Sequence, residues 1–310
     1  MIHRRILLLV ALASLPFAGC GPKTSGVPTV VATTSIIEDA AKRIAGGHIR
    51  VECLMGPGVD PHKFQPSASD IGKLDSAKLV LYNGLHLEGK MVDLLEKPNS
   101  KRKAVAVTRT LDEKKELHHA DIDGGAHDPH VWFNVVLWMK CVDVIADELC
   151  ELDPAHAVEY RTNALAYLKE LQALDAEVRE KASKLPKPLR VLVTSHDAFG
   201  YFGTAYGFEV RGLQGASTAT ESGIGQVQDL VTFLGENKIP AVFTETSVPT
   251  AGLQKVIEGV KSKYNFDVKI VGDADALYSD ALGEPNSTGA TYPGMVRHNI
   301  DVITRNLAKP

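Results

Sequence analysis

Short apolar or β-branched runs alternate with helical periodicity over most of the chain. Between these runs, apolar residues recur at helical spacing, for example over residues 36–44 and 226–234. Such alternation predicts βαβ units and mostly parallel sheets. The predicted strands are residues 30–34, 79–82, 104–107, 191–194, 241–244 and 268–271.

Residues 154–184 break this rhythm, because they contain no Gly and no Pro after Pro154. Pro154 suits a first helical turn, and Pro186 and Pro188 end the helical stretch. A helix of this size is on the order of 45 Å long, longer than one small lobe. We therefore predict an α/β fold class: two α/β lobes with mostly parallel sheets, joined by one long backbone helix. The lobes are residues 28–153 and 185–310; a long surface helix within one domain is the alternative.

The N-terminus has the composition of a secretory signal. A basic start precedes an apolar run over residues 6–15, which is too short to span a bilayer as a helix. Residues 17–20, Phe-Ala-Gly-Cys, resemble a bacterial lipobox. We expect a lipoprotein signal peptide over residues 1–19, lipidation at Cys20 and a tether over residues 20–27. The protein would then be extracytoplasmic, in the periplasm or at the cell surface, and membrane-anchored; an ordinary signal peptide is the alternative.

Charge and cysteine content narrow the possible partners and the redox chemistry. The net charge is −4 with acidic and basic residues interspersed, so no nucleic-acid partner is expected. Besides Cys20 the chain has Cys53, Cys141 and Cys150, an odd number that argues against a full disulfide framework. Cys141 and Cys150 fall on opposite faces of one predicted helix. Buried thiols are favoured, and a bond from Cys53 to either remains open.

The placement of histidines carries most of the chemical information. The tripeptide Asp-Pro-His occurs twice, ending at His62 and at His130, and each copy precedes sequence that suits a helix. His196 directly follows the strand predicted over residues 191–195, at the strand end where open α/β sheets hold ligands. Asp280 lies in a loop beyond the last predicted strand. We expect these four side chains to converge in a cleft between the lobes.

Three imidazoles and one carboxylate suit Zn²⁺ and are acceptable to Mn²⁺. Four protein ligands form a closed coordination sphere, which holds an ion rather than activating water. A zinc-dependent hydrolase is the alternative, and it needs an open position and a base. The chain has no His-Glu-x-x-His pair, and Asp197 is the single candidate base. Spacing alone leaves open whether these histidines are metal ligands or ordinary surface residues.

Several segments resemble one family, the metal-binding solute receptors of ABC importers in the zinc/manganese (TroA-like) cluster. The resemblance runs in the family's order from about residue 30 to residue 303. It implies two α/β lobes with the ion between them, and it implies His62, His130, His196 and Asp280 as ligands. The segments are residues 58–67, 82–88, 128–132, 194–202, 213–218 and 277–299.

The function that this resemblance implies is that of an extracytoplasmic receptor rather than an enzyme. It would capture Zn²⁺ or Mn²⁺ as cargo and deliver it to an ABC importer, a permease with its cytoplasmic ATPase. An adhesin or surface metal buffer without an importer is the remaining alternative. Zinc-dedicated relatives often carry a long His-rich loop before the second ligand, whereas here that loop holds only His118, His119 and His127. The nitrogen-rich ligand set nevertheless favours Zn²⁺ over Mn²⁺ in affinity.

Three further side chains have expected roles outside the ligand set. His86 is expected to lie on a strand beside apolar neighbours, packed or hydrogen-bonded rather than a ligand, and His298 is expected to be structural. Glu245, after the strand predicted over residues 241–244, is expected to lie near the cleft and support a ligand.

Overall fold

The computed structural model describes residues 27–97, 102–119 and 127–308. The signal peptide, Cys20 and the tether up to residue 26 lie outside the described residues. Within them, no helix is both long enough and apolar enough to cross a membrane.

Each half of the chain forms a four-stranded sheet in which every pair of strands is parallel. The first sheet has the order β2-β1-β3-β4 and the second the order β6-β5-β7-β8. The first contains Thr29–Thr34 (β1), Arg50–Met55 (β2), Leu79–Tyr82 (β3) and Lys103–Ala106 (β4). The second contains Val191–His196 (β5), Glu209–Gln214 (β6), Ala241–Phe243 (β7) and Lys269–Val271 (β8).

This strand order positions the functional site. In both sheets the chain leaves the first strand in one direction and later returns to its other side. A topological switch point therefore lies between β1 and β3 and another between β5 and β7. Ligands of open α/β sheets bind outside the carboxyl ends of the strands at such points.

Nine α-helices within the described residues connect and cover the sheets. Polar caps start several of them: Ser67 and Asp70 form a capping box, and Asn134 accepts from the backbone N–H groups of Val136 and Leu137. The helices are Ser35–Ala45 (α1), Ala68–Ser76 (α2), Val92–Glu96 (α3), Val135–Leu152 (α4), Ala157–Lys184 (α5), Gly200–Tyr206 (α6), Ile224–Asn237 (α7), Ala251–Tyr264 (α8) and Tyr292–Leu307 (α9).

The helix α5 joins the two lobes. Its 28 residues give a length of about 42 Å. A 3₁₀ turn over Pro154–His156 precedes it, so the α-helix itself starts three residues later than the sequence predicts. The prediction of two parallel α/β lobes joined by one long helix is confirmed.

One apolar core runs through both halves of the molecule. Ile37 of α1, Leu171 of α5 and Ile300 of α9 belong to the same buried cluster. Polar contacts reinforce it, since the Tyr292 hydroxyl donates to the Trp132 carbonyl oxygen at 2.7 Å. The last helix of the chain thus packs against the first lobe.

Two strands, β2 and β6, were absent from the sequence prediction. Both are edge strands, and their sequences, RVECLM and EVRGLQ, carry charged residues on partly exposed positions. Edge strands need apolar residues on fewer positions, so their pattern is weak. The described cysteines are all free: Cys141 is buried, and Cys53 and Cys150 are half-buried.

Candidate metal centre

The loop after β2 presents His62 through a local turn. Asp60 Oδ1 accepts the His62 backbone N–H at 2.9 Å, and Pro61 between them fixes the backbone φ angle. The other Asp60 oxygen accepts the Thr218 hydroxyl at 2.6 Å. Because Thr218 belongs to the second lobe, this hydrogen bond crosses the cleft.

The second Asp-Pro-His turn uses its carboxylate differently. Asp128 Oδ1 accepts the His130 backbone N–H at 2.9 Å and also lies 2.7 Å from His130 Nδ1. This contact places the Nδ1 proton between the two groups and leaves Nε2 free to face the cleft. The Tyr201 hydroxyl donates to the Asp128 carbonyl oxygen at 2.9 Å, which ties this turn to the second lobe.

The switch point of the second sheet positions His196. His196 is the last residue of β5, and Glu245 follows β7 by two residues. Glu245 Oε1 accepts the His196 backbone N–H at 2.9 Å, and Glu245 Oε2 lies 2.5 Å from His196 Nδ1. Unlike the contact at His130, this close ion pair does not have hydrogen-bond geometry; the other ring nitrogen, Nε2, faces Asp280.

The loop after β8 is held from three sides. Trp132 Nε1 donates to the Ser279 carbonyl oxygen at 3.0 Å, and the Ser247 hydroxyl donates to Asp280 Oδ2 at 3.2 Å. The buried Asn299 side chain accepts the Tyr278 N–H and donates to the Tyr278 carbonyl oxygen. These contacts fix Asp280 with Oδ1 directed at the imidazoles.

The four predicted side chains, His62, His130, His196 and Asp280, meet at one point. One donor atom from each lies within 4.8 Å of the others, and all four side chains are buried. His62 Nε2 lies 3.2 Å from His130 Nε2, and Asp280 Oδ1 lies 3.4 Å from Nε2 of both His130 and His196. Among the described residues, His196 Nε2 and Asp280 Oδ1 have no hydrogen-bond partner. Buried polar atoms without partners are rare in native proteins, and a cation between these donors would satisfy them.

The electrostatics of the site separate His62 from the other two imidazoles. Burial lowers the pKa of His62 to about 3, against the opposing attraction of Asp280. Burial also disfavours the charged form of His130, but Asp128 and Asp280 outweigh it and raise its pKa to about 9. Glu245 and Asp280 likewise overcome burial and raise the pKa of His196 well above its usual value. Burial opposes ionisation of Asp280, yet the two imidazoles hold its pKa well below the usual range.

These pKa shifts imply that protons leave the centre when a metal ion binds. Without metal, the raised pKa values of His130 and His196 keep both rings in the imidazolium form, each with a second ring proton, at neutral pH, which places two positive charges among Asp128, Glu245 and Asp280. A divalent cation bound to neutral imidazoles supplies the same charge of +2. The centre can therefore take up a divalent ion and release protons without a change in its net charge.

Comparison with known proteins identifies the family. Residues 30–306 match the family described as ZnuA, zinc-uptake complex component A, periplasmic. The chain belongs to this family. It is 45% identical over 311 residues to the manganese-binding lipoprotein MntA of Bacillus subtilis (strain 168), covering 99% of this chain and 100% of the relative. It is 43% identical over 315 residues to the zinc-binding protein TroA of Treponema pallidum (strain Nichols), covering both chains completely.

A solved structure agrees with this assignment. The periplasmic zinc-binding protein TroA from Treponema pallidum superimposes with a TM-score of 0.86 at 45% identity. The match covers 91% of this chain and 99% of that chain. The family and fold inferred from the sequence motifs are confirmed.

The other histidines of the described residues lie outside the centre. The prediction that His86 packs on a strand is wrong: it is exposed in a turn at φ 62°, because the chain reverses after Asn83. His298 is structural as predicted, since its ring contacts the Thr288 hydroxyl at 2.9 Å and the Ala276 carbonyl oxygen at 3.0 Å. The His118 ring stacks on Tyr201 with centroids 4.1 Å apart.

Sequence reasoning missed several supporting groups. The roles of Asp60 and Asp128 could have been inferred, because an Asp two residues before a His is placed to accept its N–H. Glu88 had no such signal. It is buried and accepts the Thr33 hydroxyl and the Asn83 N–H, each at 2.7 Å. Asn83 in turn donates through Nδ2 to the Pro129 carbonyl oxygen at 3.0 Å, so Glu88 supports the turn that carries His130.

Proposed function

We propose that this protein captures a divalent transition metal, Zn²⁺ or Mn²⁺, and delivers it to an ABC importer. The ligands in this proposal are His62, His130, His196 and Asp280. The observation that carries it is the convergence of three buried imidazoles and one carboxylate at the junction of the lobes. Relatives named for manganese binding and for zinc binding support both ions as candidates for the cargo.

The metal preference follows from the donor atoms. Three nitrogen donors favour Zn²⁺ in intrinsic affinity, while Mn²⁺ gains from oxygen donors. We expect Zn²⁺ to bind at least about tenfold more tightly than Mn²⁺, with Mn²⁺ binding still measurable. Competition calorimetry on the metal-free protein tests this, and Mn²⁺ that displaces stoichiometric Zn²⁺ at equal concentration would overturn it. His196→Glu should narrow the difference, because it adds an oxygen donor.

Delivery requires a permease with its cytoplasmic ATPase, and anchoring requires lipid at Cys20. In this proposal residues 1–19 are removed, residues 20–27 form the tether, and residues 154–184 join lobes at residues 28–153 and 185–310. The protein is extracytoplasmic and held at the membrane. Mass spectrometry of the membrane-extracted protein tests the anchor, since an N-terminus other than a lipidated Cys20 contradicts it.

The same ligand geometry supports holding an ion rather than catalysis. Four buried protein donors leave no open position for an activated water, which a hydrolase requires. Ester, peptide and phosphoester hydrolysis by the metal-loaded protein should stay at the level of free metal. Turnover that a chelator abolishes would contradict a pure receptor.

Alanine variants of the ligands test the site itself. His62→Ala, His130→Ala and His196→Ala should each weaken metal binding more than tenfold, about 1.4 kcal/mol or more. His86→Ala and His118→Ala are the controls, because neither side chain belongs to the group of four donors. Equal losses in His118→Ala and His130→Ala would show that the ligand assignment is wrong.

A further inference from the structure

A polar cavity of about 270 Å³ adjoins the proposed metal centre. Its walls come from both lobes: Lys63 follows His62 in the first lobe, while Ser195, Gln214 and Lys255 belong to the second. Ser195 directly precedes His196, and Gln214 is the β6 partner of His196 in the sheet register. The cavity therefore touches the backbone that carries two of the proposed ligands.

Two buried polar atoms in this wall have no partner. Ser195 is 3% exposed, and neither its hydroxyl oxygen nor Gln214 Oε1 has a hydrogen-bond partner among the described residues. Native proteins seldom leave such groups unpaired. An anionic oxygen could accept from the Ser195 hydroxyl, and a 180° turn of the Gln214 amide would let its NH2 group donate to the same ligand.

The charge around the cavity favours an anion. The helix α8 begins at Ala251, which lines the cavity with Gly252, and its cap residue Thr250 makes no side-chain hydrogen bond. The free N–H groups and the dipole of such a helix end attract negative charge. Lys63 and Lys255 add two ammonium groups, and Lys255 forms no ion pair within the described chain.

One carboxylate also lines the cavity. Glu221 is exposed, and it is the single acidic side chain in the lining. Two ammonium groups and a helix N-terminus outweigh this charge. Lys63 also forms an ion pair at 3.9 Å with Asp60 Oδ2, but Asp60 does not line the cavity.

We propose that this cavity binds a small oxyanion, either a carboxylate or a tetrahedral anion of the phosphate type. The bound anion would offset the charge of Lys63 beside His62 and would bridge Lys63 of one lobe to Lys255 of the other. Both effects favour the metal-bound state, so anion and metal strengthen each other's binding reciprocally. The anion site is inferred from the cavity alone, whereas the coupling between anion and metal binding rests on the proposed function.

The test uses the full-length protein in detergent at constant ionic strength. Sulfate represents tetrahedral anions, succinate represents carboxylates, and sodium chloride keeps the ionic strength equal. Calorimetry should detect one saturable site on the metal-free protein for at least one of the two probes, which also distinguishes the anion class. Ser195→Ala and Lys255→Gln should each weaken that binding by about fivefold or more. Lys261→Gln, an exposed lysine of the same helix that lies outside the cavity lining, is the matched control and should leave it unchanged.

The coupling is measured as the Mn²⁺ dissociation constant with and without saturating probe. We expect the bound anion to tighten Mn²⁺ binding by about threefold or more in the wild type and to have no effect in Lys255→Gln. The absence of saturable binding for both probes, or equal losses in Lys255→Gln and Lys261→Gln, overturns the anion site. Saturable binding without any change in Mn²⁺ affinity overturns the coupling. A protein that binds no metal would refute the proposed function, and the anion titration would still be decided separately.

Discussion

A substitution of Glu245 tests whether a carboxylate next to a ligand histidine sets the metal affinity of the centre. The substitution Glu245→Gln keeps the size of the side chain and removes the negative charge that lies 2.5 Å from His196 Nδ1. This charge fixes the Nδ1–H tautomer and increases the electron donation of Nε2 to a metal. Loss of such a supporting carboxylate costs about 10- to 100-fold in metal affinity. That range corresponds to about 1.4–2.7 kcal/mol.

The same substitution should change the protons released on binding. Glu245 and Asp280 together raise the pKa of His196 well above its usual value, so the wild type gives up protons from both His196 and His130 at pH 7. Without Glu245 the pKa of His196 falls, and the variant should release up to one proton fewer per metal ion. Zn²⁺ titrations in two buffers with different ionisation enthalpies measure this number directly.

Glu258→Gln is the matched control for Glu245→Gln. Glu258→Gln removes an equivalent charge from an exposed position of α8 and should change neither affinity nor proton release. If Glu245→Gln binds Zn²⁺ as tightly as the wild type and releases as many protons, the contact with His196 has no electrostatic role. The account of proton-for-metal exchange would then fail.

Other groups of the centre determine how its metal binding should respond to pH and to two further substitutions. Metal affinity should rise between pH 6 and pH 8 by up to about two log units per pH unit. The reason is that His130, with its pKa raised to about 9, and His196 hold protons that the metal must displace. An affinity that stays constant over this range in chelator-buffered titrations contradicts this prediction. Thr218→Val should speed metal release about three- to tenfold in stopped-flow chelation, because it breaks the hydrogen bond to Asp60 across the cleft. Thr220→Val, at an exposed position, is the control. An equal release rate in both variants argues against a role of the Thr218 hydrogen bond in metal release. Gly289→Ala should lower metal affinity about tenfold or more, because a Cβ there would lie 2.3 Å from the Tyr278 ring and displace the Asp280 loop. Gly225→Ala, whose Cβ meets no atom within 4 Å, should bind metal with wild-type affinity. A wild-type metal affinity of Gly289→Ala in calorimetry would show that the loop adapts.

Much of the fold follows from local signals in the sequence. The buried strands β1, β3, β5 and β7 are short apolar runs, and α5 stands out because it lacks Gly and Pro over nearly thirty residues. The family resemblance implied the ligand set with Asp280, and two Asp-Pro-His turns with a strand-end His had already made the three imidazoles candidates. The position of each relative to a strand end carried this information, since parallel sheets bring such ends together.

The contacts that tune the site could not be predicted in the same way. Glu245 was expected near the cleft, but its contact with His196 depends on the lateral order β5-β7, which no local pattern states. The hydrogen bond from Thr218 to Asp60 joins residues 158 positions apart across the two lobes. An unperturbed imidazole pKa of about 6.5 would place the loss of metal below about pH 6. The carboxylates that raise this value for His130 and His196 become evident only once the chain is folded.

The packing of α9 on the first lobe has a consequence for how the protein is made. Tyr292, Ile300 and Leu307 complete a core that also contains Ile37 of the first helix, so the first lobe lacks part of its interior until the last helix arrives. Domains usually fold one after another as the chain emerges. Here the N-terminal half is expected to remain incompletely folded, with apolar surface exposed, until almost the whole chain has been synthesised. Chains truncated before residue 292 should therefore be captured by chaperones and proteases rather than accumulate as a folded half.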